Sequence, residues 1–165
     1  MTTVYTQIGA NKRKTVLLVG SFLIFIIGLA FVFGQVYQIE WLLPVAVIVS
    51  LVQAISAYYF SDRLALAVSA AKPVPRAGAF IELHRTTENI AITAGLPKPK
   101  LYVIDDSAPN AFATGRDPNH SSIAVTTGLI DKLKKSELEA VLAHEFSHIG
   151  NYDIRVMTIV VVLVG

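Results

Sequence analysis

The sequence predicts an α+β domain preceded by a two-helix membrane hairpin. Three observations carry this. Two long stretches near the N-terminus hold no charge. A polar middle section alternates helix-period and strand-period patterning. Near the C-terminus, "AVLAHEFSHIGNYD" (residues 140–153) places two histidines four apart with a glutamate after the first. The composition agrees with a membrane component. The 165 residues are 53% hydrophobic and 16% charged, against about 25% charged in an ordinary soluble domain. The net charge of +2 offers no argument for a nucleic-acid partner, and none is expected. Cysteine is absent, which excludes disulfides, thiolate metal sites and a cysteine nucleophile. Any transition metal must be held by His, Asp or Glu.

Residues 1–14 form a polar tail ending in Lys12, Arg13 and Lys14. The charge-free stretch 15–36, "TVLLVGSFLIFIIGLAFVFGQV", has the roughly 20 residues needed to cross a ~30 Å hydrocarbon core. A second span, 41–60, carries Trp41 and Tyr58-Tyr59 at its ends, where amphipathic rings suit the membrane interface. The connector "YQIE" is short, so the two spans form a hairpin making up residues 1–60. Lysine and arginine flank the hairpin on both sides and are missing from the connector. The positive-inside rule therefore predicts a multi-pass membrane protein with its N-terminus and following domain cytoplasmic.

Residues 61–155 read as a compact mixed domain. In "FIELHRTTENIAITAG", Phe80, Leu83, Thr87, Ile90, Ala91 and Ala94 share one helical stripe. Gly95 stands where a helix C′ residue is favoured. "LYVIDD", "NAFATG" and "SIAVTT" read as strands, with "RDPNHS" as a turn. Ser136 begins "SELE", an S-x-x-E capping box that opens the next helix. After Arg155 comes "VMTIVVVLVG", so residues 156–165 read as the start of a further span in a longer protein.

On a helix, residues four apart lie one turn apart on the same face. His144 and His148 can thus reach one ion, while Glu145 is rotated about a quarter turn away, beside the ligands and aimed differently. This is the mechanical content of H-E-x-x-H: two zinc ligands and a general base for water. Zinc sites of this kind need a third protein ligand. The next position at which some H-E-x-x-H proteins carry one is Ile154, and Asp153 is one residue off. Glu82, His84, Glu88 and His120 can contribute only if the fold brings them near.

With "PNAFATG", "IAVTTGLIDKL" and "ELEAVLAHEFSHIGNYD" in this order, the chain resembles the HtpX family. These are membrane-embedded, heat-shock-type zinc endopeptidases, gluzincin-like and distant relatives of the CAAX prenyl proteases. The resemblance implies a zincin-like domain with its H-E-x-x-H helix beside a small β-sheet, and a C-terminal part missing here. It implies Zn2+ bound by His144 and His148, Glu145 as the base, and a glutamate beyond Gly165 as third ligand. It matches Asn110, Ala111, Phe112 and Ala113 to an edge strand that pairs with extended substrate, and Asn151 and Asp153 to positions supporting the ligands. The implied activity is cleavage of misfolded or membrane-associated polypeptides, a stress-response and quality-control role with the lipid bilayer as partner. The alternative is a catalytically incomplete fragment acting only as a non-enzymatic membrane or interaction protein.

Overall fold

The computed structural model describes residues 4–164, so residues 1–3 of the expected tail and Gly165 of the expected third span lie outside the described residues. Helices α1 (Val4–Tyr37) and α2 (Leu42–Val68) form the N-terminal hairpin. Both are longer than their apolar spans. Charge-free length measures what can sit in hydrocarbon, while an established helix propagates beyond it at little cost, through good helix formers such as Leu64, Ala65, Leu66 and Ala67 after the second span. The tail ahead of the first span is therefore helical from Val4, and α2 carries Asp62 and Arg63 within it. Both helices are long and apolar enough to cross a membrane. Large apolar side chains such as Ile24, Phe25, Ile48 and Val52 point outward. The face of α2 turned inward is small: Ser50, Ala54, Ala57 and Ser61 are buried, at the spacing that lets helix backbones approach closely.

The chain then forms a short strand β1 (Lys72–Pro73) and a single 3-10 turn (Gly78–Phe80) leading into α3 (Ile81–Ala94). Gly95 ends α3 in the left-handed conformation, φ 64°. Gly95 N–H donates to Ile92 O, and Leu96 N–H to Ala91 O, which together make a Schellman motif. Strands β2 (Lys100–Ile104), β3 (Ala111–Asp117) and β4 (His120–Thr126) follow. The sheet order is β1-β2-β4-β3, with β2 and β4 parallel and the other pairs antiparallel. Strand β3 thus lies at the sheet's edge. It also runs through Gly115 to Asp117, two residues past its expected end, with an irregular register between those residues.

Helix α4 (Thr127–Lys132) starts where the third strand was expected to continue. The Thr126 side chain accepts from Leu129 N–H, an N-cap that turns the chain out of the sheet. Helix α5 (Lys135–Gly150) carries the histidines. Its start corrects the expected capping box. The N-cap is Lys134, and Glu137 rather than Glu139 reaches back to the Lys134 N–H, at 2.8 Å. With Ser136 already inside the first turn, Glu137 is the residue at N3. Helix α6 (Asp153–Val164) closes the described chain, packed on α1, α2 and β3. The core lies between α3, α5 and the sheet, built from Leu83, Ile90, Leu101, Ile123, Val125, Leu138, Leu142, Phe146 and Ile149.

Gly115 has φ 141°, and a Cβ there would stand 2.2 Å from His120 O. We expect Gly115→Ala to destabilise the domain by roughly 2–3 kcal/mol or more, from backbone strain combined with the clash. Thermal melting of the variant against the parent protein checks this.

Candidate metal centre

Helix α5 is rotated by its apolar stripe. Leu138, Leu142, Phe146 and Ile149 are buried, and at about 100° per residue His144 and His148 then fall on the opposite face. His144 is exposed and His148 half-buried. Their Nε2 atoms are 3.2 Å apart, and the rings meet edge to face at 4.7 Å between centroids. Two imidazole nitrogens held tetrahedrally at about 2.0–2.1 Å from one zinc ion would sit roughly 3.3 Å apart. The observed pair fits one ion.

Glu145 takes neither of those directions. It is 9% exposed and packs toward the edge strand. Burial pushes its carboxyl above the usual carboxylate range, opposed by the Ala113 N–H and the two imidazoles. A poorly hydrated carboxylate beside a strand edge is well suited to accept a proton.

Asp153 comes to the site through a break in the chain. On a continuous helix, a residue five positions after His148 would lie about 140° around the axis, out of reach. Instead α5 ends at Gly150, with Asn151 as its C-cap. Tyr152 adopts the left-handed conformation, φ 63°, costly for a residue with a side chain. Lys12 and Arg155 hold the Tyr152 ring at 4.8 and 5.2 Å. The turn swings Asp153 back, and its Oδ2 lies 3.0 Å from His148 Nδ1. A carboxylate accepts, so Nδ1 carries the hydrogen, and the other ring nitrogen, Nε2, is the one left facing His144.

The expected edge-strand residues are brought alongside. Ala111, Phe112 and Ala113 lie in β3, with β4 on one side only. Asn110 precedes the strand and is exposed. Its N–H donates to Thr126 Oγ1, and its carbonyl accepts the Thr126 N–H. An apolar cavity of about 310 Å3 opens beside Phe112–Thr114, between β3, α2 and α6.

Other sequence expectations are not brought together. Asn151 engages through its backbone, as the C-cap of α5 and as an acceptor for Asn11. Glu82 pairs with Lys135, Glu88 with Lys98, and His120 with Asp117. His84 has both ring nitrogens buried without a hydrogen-bond partner among the described residues, away in a cleft with Arg76 and Lys98. Among the described residues, no group of three His, Asp or Glu side chains is placed to hold a metal ion. Asn11 escaped the sequence reading. It is buried against the site, but in the sequence it is one polar residue in a polar run.

The model of peptidase family M48 matches residues 79–164. The "Protease HtpX homolog" of Tropheryma whipplei is 43% identical over 161 residues, covering 98% of this chain and 55% of that protein. The homologue of Thermoanaerobacter pseudethanolicus is 42% identical over 165 residues, covering 99% and 54%. That of Listeria monocytogenes is 40% identical over 163 residues, covering 98% and 54%. The chain therefore spans about half the length of these curated relatives. Among solved structures, the crystal structure of S. mikatae Ste24p superposes with a TM-score of 0.52 at 21% identity, covering 97% of this chain and 36% of that one. The likeness is one of fold.

The left-handed Tyr152 gives a test of the α5–α6 junction. Tyr152→Val should melt lower than Tyr152→Gly by the equivalent of ~1–2 kcal/mol, because a β-branched residue resists this conformation and glycine does not. Thermal unfolding of the two variants side by side decides it.

Proposed function

The chain belongs to peptidase family M48, and from that premise we propose a membrane-anchored, zinc-dependent endopeptidase. The observation that carries the reading is the convergence of His144 and His148 to 3.2 Å on one helix, with Glu145 turned toward an edge strand. His144 and His148 would hold the zinc. The third ligand is a glutamate from outside these 165 residues. Bound zinc polarises the scissile carbonyl and makes water easier to deprotonate.

The chain's own residues supply the rest. Glu145 accepts the proton of the attacking water and passes it to the leaving amine. Extended substrate adds to the free edge of β3 through backbone hydrogen bonds at Ala111–Ala113, which bind without reading sequence closely. The apolar cavity beside that edge suits an apolar substrate side chain. Asp153 keeps His148 in the ligand tautomer.

The substrates are misfolded or membrane-associated polypeptides at the cytoplasmic face of the inner membrane. The support is positional: α6 starts at Asp153, in contact with His148, and packs along both apolar helices of the hairpin. If the full-length enzyme cleaved soluble and bilayer-embedded forms of one substrate equally, this preference would be refuted.

A second reading is favoured by one observation, the lack of a third donor among the described residues. In that reading these 165 residues act as a non-enzymatic membrane or interaction protein. Isolated residues 1–165 are then expected to bind zinc weakly or sub-stoichiometrically and to show no peptidase activity. Tight stoichiometric zinc with turnover would mean that the third ligand lies within them.

In the full-length protein, Glu145→Gln should retain zinc and lose peptide hydrolysis by about 10²–10⁴-fold in kcat. Chelation should abolish cleavage and added zinc restore it. Undiminished turnover by Glu145→Gln would falsify the mechanism.

A further inference from the structure

Asn11 lies on α1, one helical turn ahead of the charge-free span, and is 7% exposed. Its side-chain Nδ2 donates to Oδ1 of Asp153 and to the main-chain oxygen of Asn151, the latter at 3.0 Å. Both partners can only accept, so the amide turns its NH2 group to them and both of its hydrogens are used. The other oxygen of the same carboxylate, Asp153 Oδ2, lies 3.0 Å from His148 Nδ1. A continuous path of hydrogen bonds thus runs from α1 to the imidazole whose Nε2 faces His144. Two further contacts hold Asn11 in place. Thr15 Oγ1 donates to the Asn11 carbonyl at 3.0 Å, and the neighbouring Lys12 sits over the Tyr152 ring.

A buried amide is costly unless its hydrogens are matched. Here they are matched by the two groups that define the turn between α5 and α6. Without Asn11, the Asp153 carboxylate would be held on one side only, by His148 itself, and free to rotate about its own side-chain torsions.

We propose that Asn11 is a positioning residue of the metal centre: it clamps the Asp153 carboxylate and the Asn151 carbonyl, and so holds His148 in the ring orientation and tautomer that a bound cation requires. This rests on the metal-site reading of His144 and His148. It makes the start of the first membrane helix part of the centre, although no residue of that helix is among the proposed ligands. Docking of α1 and affinity for the metal become two readouts of one interaction.

The test is a double-mutant cycle on the full-length protein in detergent, with zinc affinity read by competition against a chromophoric chelator. Asp153→Ala should weaken zinc about 10–100-fold. Asn11→Ala should weaken it about tenfold in the parent protein and by less than about twofold when Asp153 is already alanine, because its effect passes through that carboxylate. Asn11→Asp keeps the shape but replaces the donor with a second carboxylate. It should weaken zinc more than Asn11→Ala, the reverse of what packing alone predicts. The visible absorption of the cobalt-substituted protein should shift in Asn11→Ala, reporting the altered His148 geometry. Equal loss of affinity in both backgrounds, or none in the parent, overturns the proposal while leaving the metal site standing. A parent protein that takes up no zinc overturns the metal site and this inference together.

Discussion

Everything at the site follows from how α5 is pinned against the sheet. Burial of Leu138, Leu142, Phe146 and Ile149 against the core leaves the helix one rotation about its own axis. Each of these side chains is worth about 1.5–3 kcal/mol when removed from water, far more than any single polar contact nearby. That rotation sends His144 and His148 outward as a pair and tilts Glu145 toward β3. A helix turned by a quarter one way would bury His148, and turned the other way would expose Glu145. The apolar residues do no chemistry, yet they decide which direction each chemical group faces.

The parts legible in the sequence were those that depend on short-range pattern. The charge-free lengths marked the hairpin, and Gly95 marked the end of α3. Histidines four apart on a strongly helical stretch marked a shared face. The edge position of β3 came only with the family resemblance, because alternation cannot distinguish an edge strand from a central one. Other features were hidden for physical reasons. The two-residue strand β1 is too short to have a period. Helix α4 begins inside an apparent strand because a single threonine cap, Thr126, outweighs the β-propensity of "AVTT". The capping box at α5 was displaced because Glu137 and Glu139 offer two registers, and packing selects one.

The α5–α6 junction is the clearest case. "HIGNYD" reads as a helix end in which glycine or asparagine takes the left-handed position. The structure gives that position to Tyr152 instead. The strain persists because Lys12 and Arg155 both engage the ring. Those cations come from α1 and α6, so the conformation of one residue depends on helices far apart in sequence. No local rule could have placed Asp153 against His148, since the five-residue spacing is wrong for a helix and becomes right only after the break.

The single free edge of β3 carries a consequence of its own. An edge that bonds through backbone amides asks of its partner only that it have unpaired amides to offer. A native protein has almost none, since its strands and helices already bond to themselves. A nascent, damaged or dislodged segment has many. Recognition of this kind discriminates by conformational state rather than by residue identity. In the proposed substrate-binding role of β3, a surface so permissive about sequence would thereby be strict about foldedness.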